Sequence, residues 1–415
     1  MADLSATLSV DFRKALAPWT LGPLRLRNRV IKSATNEGMA PGGVPSQALV
    51  RHHRSMAAGG VGLTTVAYCA IHADGRTFPD QIVLDGPTAK HLRALTDAVH
   101  AEGGAASAQI THGGAFNFLP TLSTKYPFSA SGGFNPAGAL SGRLFKTAMT
   151  RVDMDRMTAD FVAGARLARS AGFDAVELHM GHGYLLSQFL SPAYNRRRDE
   201  YGGSAQARAR YPAEVLRVVL DAVGSRMPVL CKISMFEGHA AGATVDDAVV
   251  TAQALAAAGA HLIVLSAGMN VESPWTIFGN AMPRSAMEGQ GSRLMKLAGK
   301  LLALRQPKLE FHELYLLDAA RRVRAAMTAP LAYLGGVKSV AGIGQAMHDG
   351  FDAVVMGRAL IHQPDLLRAF AAGTTERSGC TACNECIATM YTPGGTRCVL
   401  TGYDDSGLNR IPAGS

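Results

Sequence analysis

Residues 158–184 read TADFVAGARLARSAGFDAVELHMGHGY and contain one helix and one strand in succession. Residues 158–170 place apolar side chains at helical spacing, and the run closes near the glycine of SAGF. Residues 175–178 form a short apolar run with the length of a buried strand, and the polar side chain of His179 follows it directly. We therefore predict a helix that leads into a buried strand with a histidine at its end.

The same unit recurs along the chain. Strands that alternate with helices imply a parallel sheet, and a count of eight units predicts a (β/α)8 TIM barrel. The predicted strands are residues 30–34, 62–68, 105–109, 175–178, 229–233, 262–266, 331–334 and 353–356. The helices predicted most clearly are residues 87–101, 158–170, 245–258, 318–326 and 340–348.

The chain is longer than the roughly 250 residues of a typical barrel. We assign the surplus to two long loops that follow strands, residues 111–151 and 267–313, and to an extension rich in cysteine at the C-terminal end. The expected organisation is one barrel domain, residues 1–372, with residues 373–415 packed on it.

Composition limits the function classes. A chain of 415 residues with 47% hydrophobic and 18% charged residues can bury a large core. We expect no membrane span and a cytoplasmic protein, because no apolar run approaches the roughly 20 residues that a span needs and the N-terminus mixes acidic and basic residues. The net charge of +9 is spread along the chain, which argues against a nucleic-acid partner. The oligomeric state is open, with a homo-oligomer as one alternative.

Polar residues and glycines stand where the predicted strands end. Barrel enzymes place their active sites at the carboxyl ends of the strands, so these positions are the candidate site. Glycines after the last two strands suit a phosphate, because their backbone N–H groups can approach it without a Cβ in the way, although such glycines can also be simple turns. Arg358 would add charge-assisted hydrogen bonds. The residues at strand ends are Thr35, Asn36, Gln109, His179, Lys232, Ser266, Gly335, Gly336, Gly357 and Arg358.

Five stretches together resemble a known family. AVELHMGHGYLLSQFLSPAYNRRRDEYGGS, residues 175–204, closely resembles the central motif of the old yellow enzyme family of FMN-dependent ene-reductases. The remaining matches are NRVIKSATNEG, SAQITHGG, YLGGV and VVMGRAL, in family order between about residues 15 and 370. The resemblance implies an FMN cofactor with NADH or NADPH as reductant, and a small enone as substrate.

The resemblance also implies roles for three residues of the central motif. In this family, hydride moves to the β-carbon of an alkene conjugated with a carbonyl, and negative charge develops on the carbonyl oxygen. Two N–H donors aimed at such an oxygen stabilise the transition state, and His179 and His182 match them. Tyr184 matches the residue that gives a proton to the α-carbon. The other interpretations of the histidine pair are a zinc site and structural hydrogen bonds to backbone carbonyls.

Further matches concern the flavin itself. Lys232 matches the basic residue that faces the flavin pyrimidine, and Gln109 matches an amide that hydrogen-bonds it. The first strand would line the flavin through Ser33, Ala34, Thr35 and Asn36. This sequence departs from the family pattern at Asn36, where threonine or cysteine is frequent, and at Tyr68, where a small residue is usual and the tyrosine would narrow the pocket. The adjacent run RRRDEYGGS is interpreted as a structural loop whose charges pair with one another.

Four cysteines cluster near the C-terminal end with the spacing C-x2-C-x2-C-x11-C: Cys380, Cys383, Cys386 and Cys398. Such thiolates could hold an iron-sulfur cluster, [4Fe-4S] for preference, or less favourably zinc, and they could also be free thiols. The pattern resembles the cluster motif of 2,4-dienoyl-CoA reductase and trimethylamine dehydrogenase, where electrons pass to a second redox domain. The sequence ends 17 residues after Cys398, so we expect any electron-transfer partner to be a separate protein.

Three functions follow from these features. The leading one is an FMN-dependent NAD(P)H oxidoreductase that reduces the C=C bond of α,β-unsaturated carbonyl compounds. The alternative is an FMN and iron-sulfur enzyme of the amine-dehydrogenase type that passes electrons to a partner protein. The third is a catalytically idle redox sensor, which the intact histidine pair and Tyr184 argue against.

Overall fold

The computed structural model describes residues 10–139, 142–223, 226–287, 300, 303–304, 306–390 and 392–401. Eight strands within these ranges form a closed parallel barrel in which the last strand pairs with the first, so the predicted (β/α)8 barrel is confirmed. In chain order the barrel strands are β3 (Val30–Lys32), β4 (Leu63–Ala70), β5 (Ala105–Thr111), β9 (Ala175–Met180), β10 (Val229–Ser234), β11 (Leu262–Ser266), β12 (Leu331–Leu334) and β13 (Ala353–Met356).

The eight predicted strands coincide with the barrel strands. The last three have the bounds that the sequence predicts, and the other five differ only by up to two residues at an end. These strands are buried along almost their whole length, since helices cover the outside of the barrel and side chains fill the inside. Continuous apolar runs of this kind are the pattern that made them recognisable.

A hairpin closes the amino end of the barrel. Its strands β1 (Trp19–Leu21) and β2 (Leu24–Leu26) pair antiparallel, and Leu21 and Leu26 pack in one core cluster with Leu63, Leu230 and Leu262, which lie at the beginnings of barrel strands. The amino end is therefore filled by side chains. Access to the barrel is left to the carboxyl end, where the loops lie.

Helices surround the barrel, and the five predicted ones are present. The helix predicted to begin at residue 158 begins at Arg151 instead, because Thr150 and Asp153 form a reciprocal capping box. The described helices are residues 10–16, Gln47–Ala58, Gly86–Ala101, Arg151–Ser170, Leu185–Leu190, Ala205–Val223, Val245–Ala257, Pro274–Phe278, Arg284–Met287, Leu317–Ala325, Val340–His348, Arg358–His362, Leu366–Ala371 and Glu385–Thr389. No helix among them has the length and apolarity that crossing a membrane requires.

The two long loops follow β5 and β11, as predicted. The first contains a small sheet of β6 (Phe128–Ser129), β7 (Gly133–Phe134) and β8 (Phe145–Ala148). The described part of the second contains the two short helices Pro274–Phe278 and Arg284–Met287, and residues 288–299, 301–302 and 305 lie outside the described part of the chain. The RRRDEYGGS run makes internal ion pairs: Arg197 Nη2 lies 2.6 Å from Asp199 Oδ2.

Candidate active site

A cavity of about 1210 Å³ opens at the carboxyl end of the barrel. Most of the residues that the sequence singled out lie on its wall, although they come from six different strands or the loops after them. Gln109 and Gly335 are the two predicted site residues of the barrel that do not line it. The predicted residues on the wall are Ser33, Ala34, Thr35, Asn36, Tyr68, His179, His182, Tyr184, Lys232, Gly336, Gly357 and Arg358.

His179 offers a buried N–H donor at this wall. Its Nδ1 accepts a hydrogen bond from the backbone N–H of Gly181 at 3.3 Å, so Nε2 carries the proton in the neutral ring. Nε2 is buried and has no hydrogen-bond partner among the described residues. Burial, aided by His182 and the positive charge of Lys232, places the pKa of His179 well below its ordinary value. The ring is therefore neutral at pH 7 and presents one N–H to a ligand.

His182 is held differently from His179. Its backbone has a positive φ of 60°, and its N–H donates to Ser234 Oγ at 3.0 Å. Its Nε2 lies 2.8 Å from Ser266 Oγ at the end of β11. The two imidazole rings stand at 87° with centroids 5.0 Å apart. The pair is thus brought together as predicted, but one member is already partnered by Ser266, a residue to which the sequence assigned no role.

Two tyrosines stand beside His179. The ring of Tyr184 is fully buried, with its centroid 4.4 Å from that of His179, directly before the helix Leu185–Leu190. Tyr68 lies 5.2 Å from Tyr184 between ring centroids and shares a side-chain hydrogen bond with it. Burial raises the pKa of Tyr68, and the hydrogen bond with Tyr184 partly opposes this. The sequence predicted only the bulk of Tyr68; its hydroxyl contact was missed.

The irregular course of β4 explains the position of Tyr68. Pairing between β4 and β5 shifts register between Val66 and Cys69, so the intervening residues leave the regular ladder. An interruption of this kind changes the direction in which side chains point, and it is frequent at the rims of barrels and next to active sites. The local sequence TTVAYCA shows no sign of it, since strand propensity is high on both sides.

A buried charge and a buried amide lie deeper in the barrel. Lys232 Nζ donates to Ser33 Oγ at 3.4 Å, and burial lowers the pKa of this lysine while Glu177 opposes the shift. The Glu177 carboxylate interacts electrostatically with Lys232, and it accepts a hydrogen bond from Gln109 Nε2 at 2.6 Å. The remaining amide oxygen, Gln109 Oε1, is buried without a partner among the described residues. These groups fit a flavin pyrimidine, which offers both donors and acceptors.

The glycines after β12 and β13 fit the other end of a flavin mononucleotide. Gly336 has a φ of 77°, and a Cβ at this position would lie 2.8 Å from a ring carbon of Tyr315. Gly357 leaves open space on the cavity wall, since the nearest atom to a Cβ there would be Ser33 Cβ at 3.8 Å. Backbone without side chains is what close approach of a phosphate requires. The residues present therefore fit FMN.

The guanidinium of Arg358 makes contacts other than the phosphate contact that the sequence predicts. One terminal nitrogen donates to the carbonyl of Phe278 at 2.8 Å, and the other donates to Asn384 Oδ1 in the cysteine-rich tail. It also lies over the ring of Phe311, 5.3 Å from the centroid. Arg358 thus lies between the main cavity and the tail, with both terminal nitrogens engaged. Its contact with a phosphate stays a prediction.

The four tail cysteines surround a second, small cavity that also touches Arg358. Cys380 and Cys386 line the main cavity as well, so the two cavities adjoin. Among the described residues, no three cysteine sulfurs come within 4.8 Å of one another. Sulfurs around one tetrahedral zinc lie about 3.8 Å apart, given Zn–S bonds of about 2.3 Å, so the four thiols are not arranged here as the ligands of a single zinc ion, and a metal in the tail stays a prediction. Burial raises the pKa of Cys386 to about 12.

The tail also forms part of the main cavity. The backbone N–H of Thr396 donates to the carbonyl of Glu37 and its hydroxyl donates to the carbonyl of Asn36, both at 2.7 Å. Met390, Pro393 and Thr396 line the main cavity. The sequence did not predict this contribution. The division into a barrel domain and a separate extension stays a prediction.

An aromatic part of the wall was also missed. Phe78 lies in the loop after β4, and Phe116 and Phe118 lie in the loop after β5. Loop residues have no periodic pattern, and the alternation in FNF at residues 116–118 was the only signal for them.

Comparison with known proteins agrees with this geometry. The model of the NADH:flavin oxidoreductase / NADH oxidase family matches residues 14–297. The chain is 41% identical over 395 residues to 4,4'-dithiodibutanoate disulfide reductase of Rhodococcus erythropolis, covering 92% of this chain and 94% of that protein. It is 28% identical over 372 residues to NADH oxidase of Thermoanaerobacter brockii, covering 88% of this chain but only 52% of that longer protein.

Solved structures share the fold. An old yellow enzyme homologue from Zymomonas mobilis superimposes with a TM-score of 0.69 at 21% identity and covers 92% of this chain and 98% of its own. A 2-naphthoyl-CoA reductase superimposes with a TM-score of 0.76 at 21% identity, covering 93% of this chain and 56% of its own. The barrel, the cavity at its carboxyl end and these matches agree: the chain is an oxidoreductase of the NADH:flavin oxidoreductase / NADH oxidase family, to which the old yellow enzymes also belong.

Proposed function

We propose that the chain binds FMN in the main cavity, takes electrons from NADH or NADPH, and reduces the C=C bond of small α,β-unsaturated carbonyl compounds. The observation that carries this proposal is the buried, unpartnered Nε2 of His179 beside the Tyr184 ring. An unsatisfied buried N–H costs free energy, and an acceptor oxygen from a ligand would remove that cost. When bound, the flavin would supply hydride exchange between nicotinamide and alkene.

The protein's own contribution would be to polarise the carbonyl and deliver a proton. The His179 N–H would donate to the carbonyl oxygen, where negative charge grows, and removal of a comparable donor in acyl-transfer enzymes costs about 10²–10³ in rate. Tyr184 would give its phenolic proton to the α-carbon. Tyr68, which is hydrogen-bonded to Tyr184, would position that hydroxyl and return a proton to it.

The cofactor would be held by residues from the whole rim of the barrel. The Lys232 ammonium and the Gln109 amide would bind the pyrimidine end, and Ser33 to Asn36 would line its edge. Backbone at Gly336 and Gly357 would accommodate the phosphate. Burial lowers the pKa of Lys232 and Glu177 only partly opposes the shift, which favours a ligand that becomes more negative during the reaction.

A second candidate function is a flavin and iron-sulfur dehydrogenase of the amine-dehydrogenase type. The specific observation in its favour is that Cys380 and Cys386 line both cavities, which would place a cluster beside the flavin. Electrons would then leave through the tail to a partner protein. A third substrate class, the disulfides named in the Rhodococcus relative, requires the same NAD(P)H half-reaction and differs only in the oxidant.

One anaerobic titration separates these functions. Purified protein is reduced with NADH and then with NADPH while absorbance near 450 nm is followed, and 2-cyclohexenone, 4,4'-dithiodibutanoate or an amine is added. Bleaching by a nicotinamide and recovery with the enone would support ene reduction. If the flavin absorbance returns only with 4,4'-dithiodibutanoate, the substrate is a disulfide and not an alkene. If only an amine bleaches the flavin, the amine-dehydrogenase function is favoured.

The proposed iron-sulfur cluster in the tail is tested by measuring the iron and sulfide content of the protein. We expect about four iron atoms and four sulfides per chain after anaerobic purification, as a [4Fe-4S] cluster requires. The variant Cys386→Ala should lose this iron, whereas Cys231→Ala, a buried cysteine in β10 away from the tail, should retain it. Protein without iron, or with one zinc per chain, would contradict the cluster.

A further inference from the structure

Three phenylalanines continue the aromatic surface that begins at the proposed reacting centre. The ring of Phe116 meets Tyr184 edge to face, with centroids 5.7 Å apart, and meets Phe118 in the same way at 5.1 Å. Phe118 and Phe78 stack almost parallel, with an interplanar angle of 4° and centroids 5.2 Å apart. All three line the main cavity. A continuous aromatic wall, defined here as Phe78, Phe116 and Phe118, therefore leads outward from Tyr184.

This aromatic wall is held in place by hydrogen bonds between two loops. Asn117, between the two phenylalanines, donates through Nδ2 to the carbonyls of Asp74 and Arg76 at 2.8 and 2.9 Å. The backbone N–H of Phe118 donates to the carbonyl of Thr77 at 2.9 Å. Because these bonds join the loop after β5 to the loop after β4, the rings keep a fixed relation to one another. A preformed surface of this kind binds a rigid planar group with little loss of side-chain entropy.

The side-chain amide of Gln81, three residues after Phe78, has a nitrogen without a hydrogen-bond partner among the described residues. Gln81 Oε1 accepts from the backbone N–H and the hydroxyl of Thr77, at 2.7 and 2.8 Å, which fixes the orientation of the amide. Its Nε2 is buried, without a partner among the described residues, and the side chain lines the main cavity. A donor in this state requires an acceptor. The nearby carboxylate of Asp80 also lines the cavity and disfavours an anionic group there.

We propose that the substrate is an aryl-conjugated carbonyl compound, with its ring against the aromatic wall and a neutral acceptor on the ring that binds Gln81 Nε2. This inference rests on the proposed ene reduction and adds the substrate class. The carbonyl end would lie at His179, and the planar conjugated chain would place the ring beside Phe116. Offset and edge-to-face ring contacts contribute roughly a 2- to 10-fold preference each.

The test compares three neutral enones: 3-penten-2-one, 4-phenyl-3-buten-2-one and 4-(4-hydroxyphenyl)-3-buten-2-one. We expect the KM of the phenyl compound to be about tenfold or more below that of the pentenone. Phe118→Leu should reduce this ratio several-fold, and the matched control Phe134→Leu, an exposed phenylalanine outside the cavity, should leave it unchanged. Equal KM values for the two compounds, or equal effects of the two variants, would overturn the aryl assignment.

The acceptor is tested separately with Gln81→Glu. This change preserves the oxygen that Thr77 binds and removes the N–H donors. We expect kcat/KM for the hydroxyphenyl compound, relative to the phenyl compound, to fall about 3- to 10-fold, the size of one lost hydrogen bond. An unchanged ratio would remove Gln81 from the site. If the wild-type protein reduces none of the three enones, the proposed function itself fails, which is distinct from failure of the substrate class.

Discussion

Replacing Tyr184 with phenylalanine tests the proposed proton transfer with little disturbance of packing. The ring would keep its place, since its contacts with His179 at 4.4 Å and Phe116 at 5.7 Å are made by ring atoms. The hydroxyl and its hydrogen bond with Tyr68 would be lost. A positioned general acid contributes about 10²–10⁴ in rate.

The position of Tyr68 sets where in that range the effect falls. Its hydroxyl remains beside the site in Tyr184→Phe, with a ring centroid 5.8 Å from that of His179, and can supply a proton less directly. We therefore expect a loss of about 10² in alkene reduction for the single variant. The double variant, Tyr68→Phe with Tyr184→Phe, should approach 10⁴.

Stopped-flow measurement of the two half-reactions is the suitable assay. Reduction of the bound flavin by NAD(P)H needs no proton from Tyr184, so its rate should change by less than about twofold. Reoxidation by 2-cyclohexenone should carry the whole loss. Equal slowing of both half-reactions, or a double variant no slower than the single one, would refute the assigned role.

Three further outcomes follow from the geometry. His179→Ala should weaken binding of a phenol ligand, measured by the flavin absorbance shift, by about 10- to 100-fold. His182→Ala should weaken this binding less, because Ser266 already holds the His182 ring. Equal effects of the two variants would contradict the different roles of the two histidines. Glu37→Gln should lower the free energy of unfolding, measured in urea, by about 3–5 kcal/mol, because the buried Lys32 would lose the carboxylate that lies 2.5 Å from its Nζ. A loss below about 1 kcal/mol would show that the Lys32–Glu37 ion pair is dispensable for stability. Gly336→Ala should lower the flavin content of purified protein, because φ is 77° and the added Cβ would press on a tyrosine ring; full flavin occupancy would count against the phosphate end.

The fold was predictable because its signals are local. Most barrel strands are short, largely apolar runs with a polar residue or glycine at or just after the carboxyl end, and both faces of such strands are buried, so the pattern needs no knowledge of distant contacts. The positions of His179, Lys232 and Gly336 follow from the same rule, because residues at the carboxyl ends of parallel strands meet at one end of the barrel. Thr150 shows where the local signal was present but overlooked, since its capping box starts a helix seven residues before the predicted beginning.

The remaining parts of the site depend on contacts between loops. The orientation of Tyr68 follows from a change of register within β4, and the fixing of Phe118 depends on a hydrogen bond to Thr77 in another loop. The redirection of Arg358 depends on Asn384, 26 residues further along the chain. Each of these contacts joins two segments that are distant in the sequence, and neither segment contains a pattern that identifies the other. Local reasoning can place each residue on a loop but cannot state which partner it meets.

The asymmetry between the two histidines has a consequence for how the site selects a substrate. His182 is held by Ser266 and by its backbone bond to Ser234, so its ring is positioned before any ligand arrives. His179 has a fixed tautomer through Gly181 and a buried donor without a partner. A ligand with an acceptor oxygen would give the His179 N–H the hydrogen bond that it lacks in the folded protein. An alkene without a carbonyl would leave this N–H without a partner, at a cost of about 1–3 kcal/mol in binding free energy. Discrimination between activated and unactivated alkenes would therefore begin at binding, and would strengthen as negative charge grows on the oxygen during the reaction.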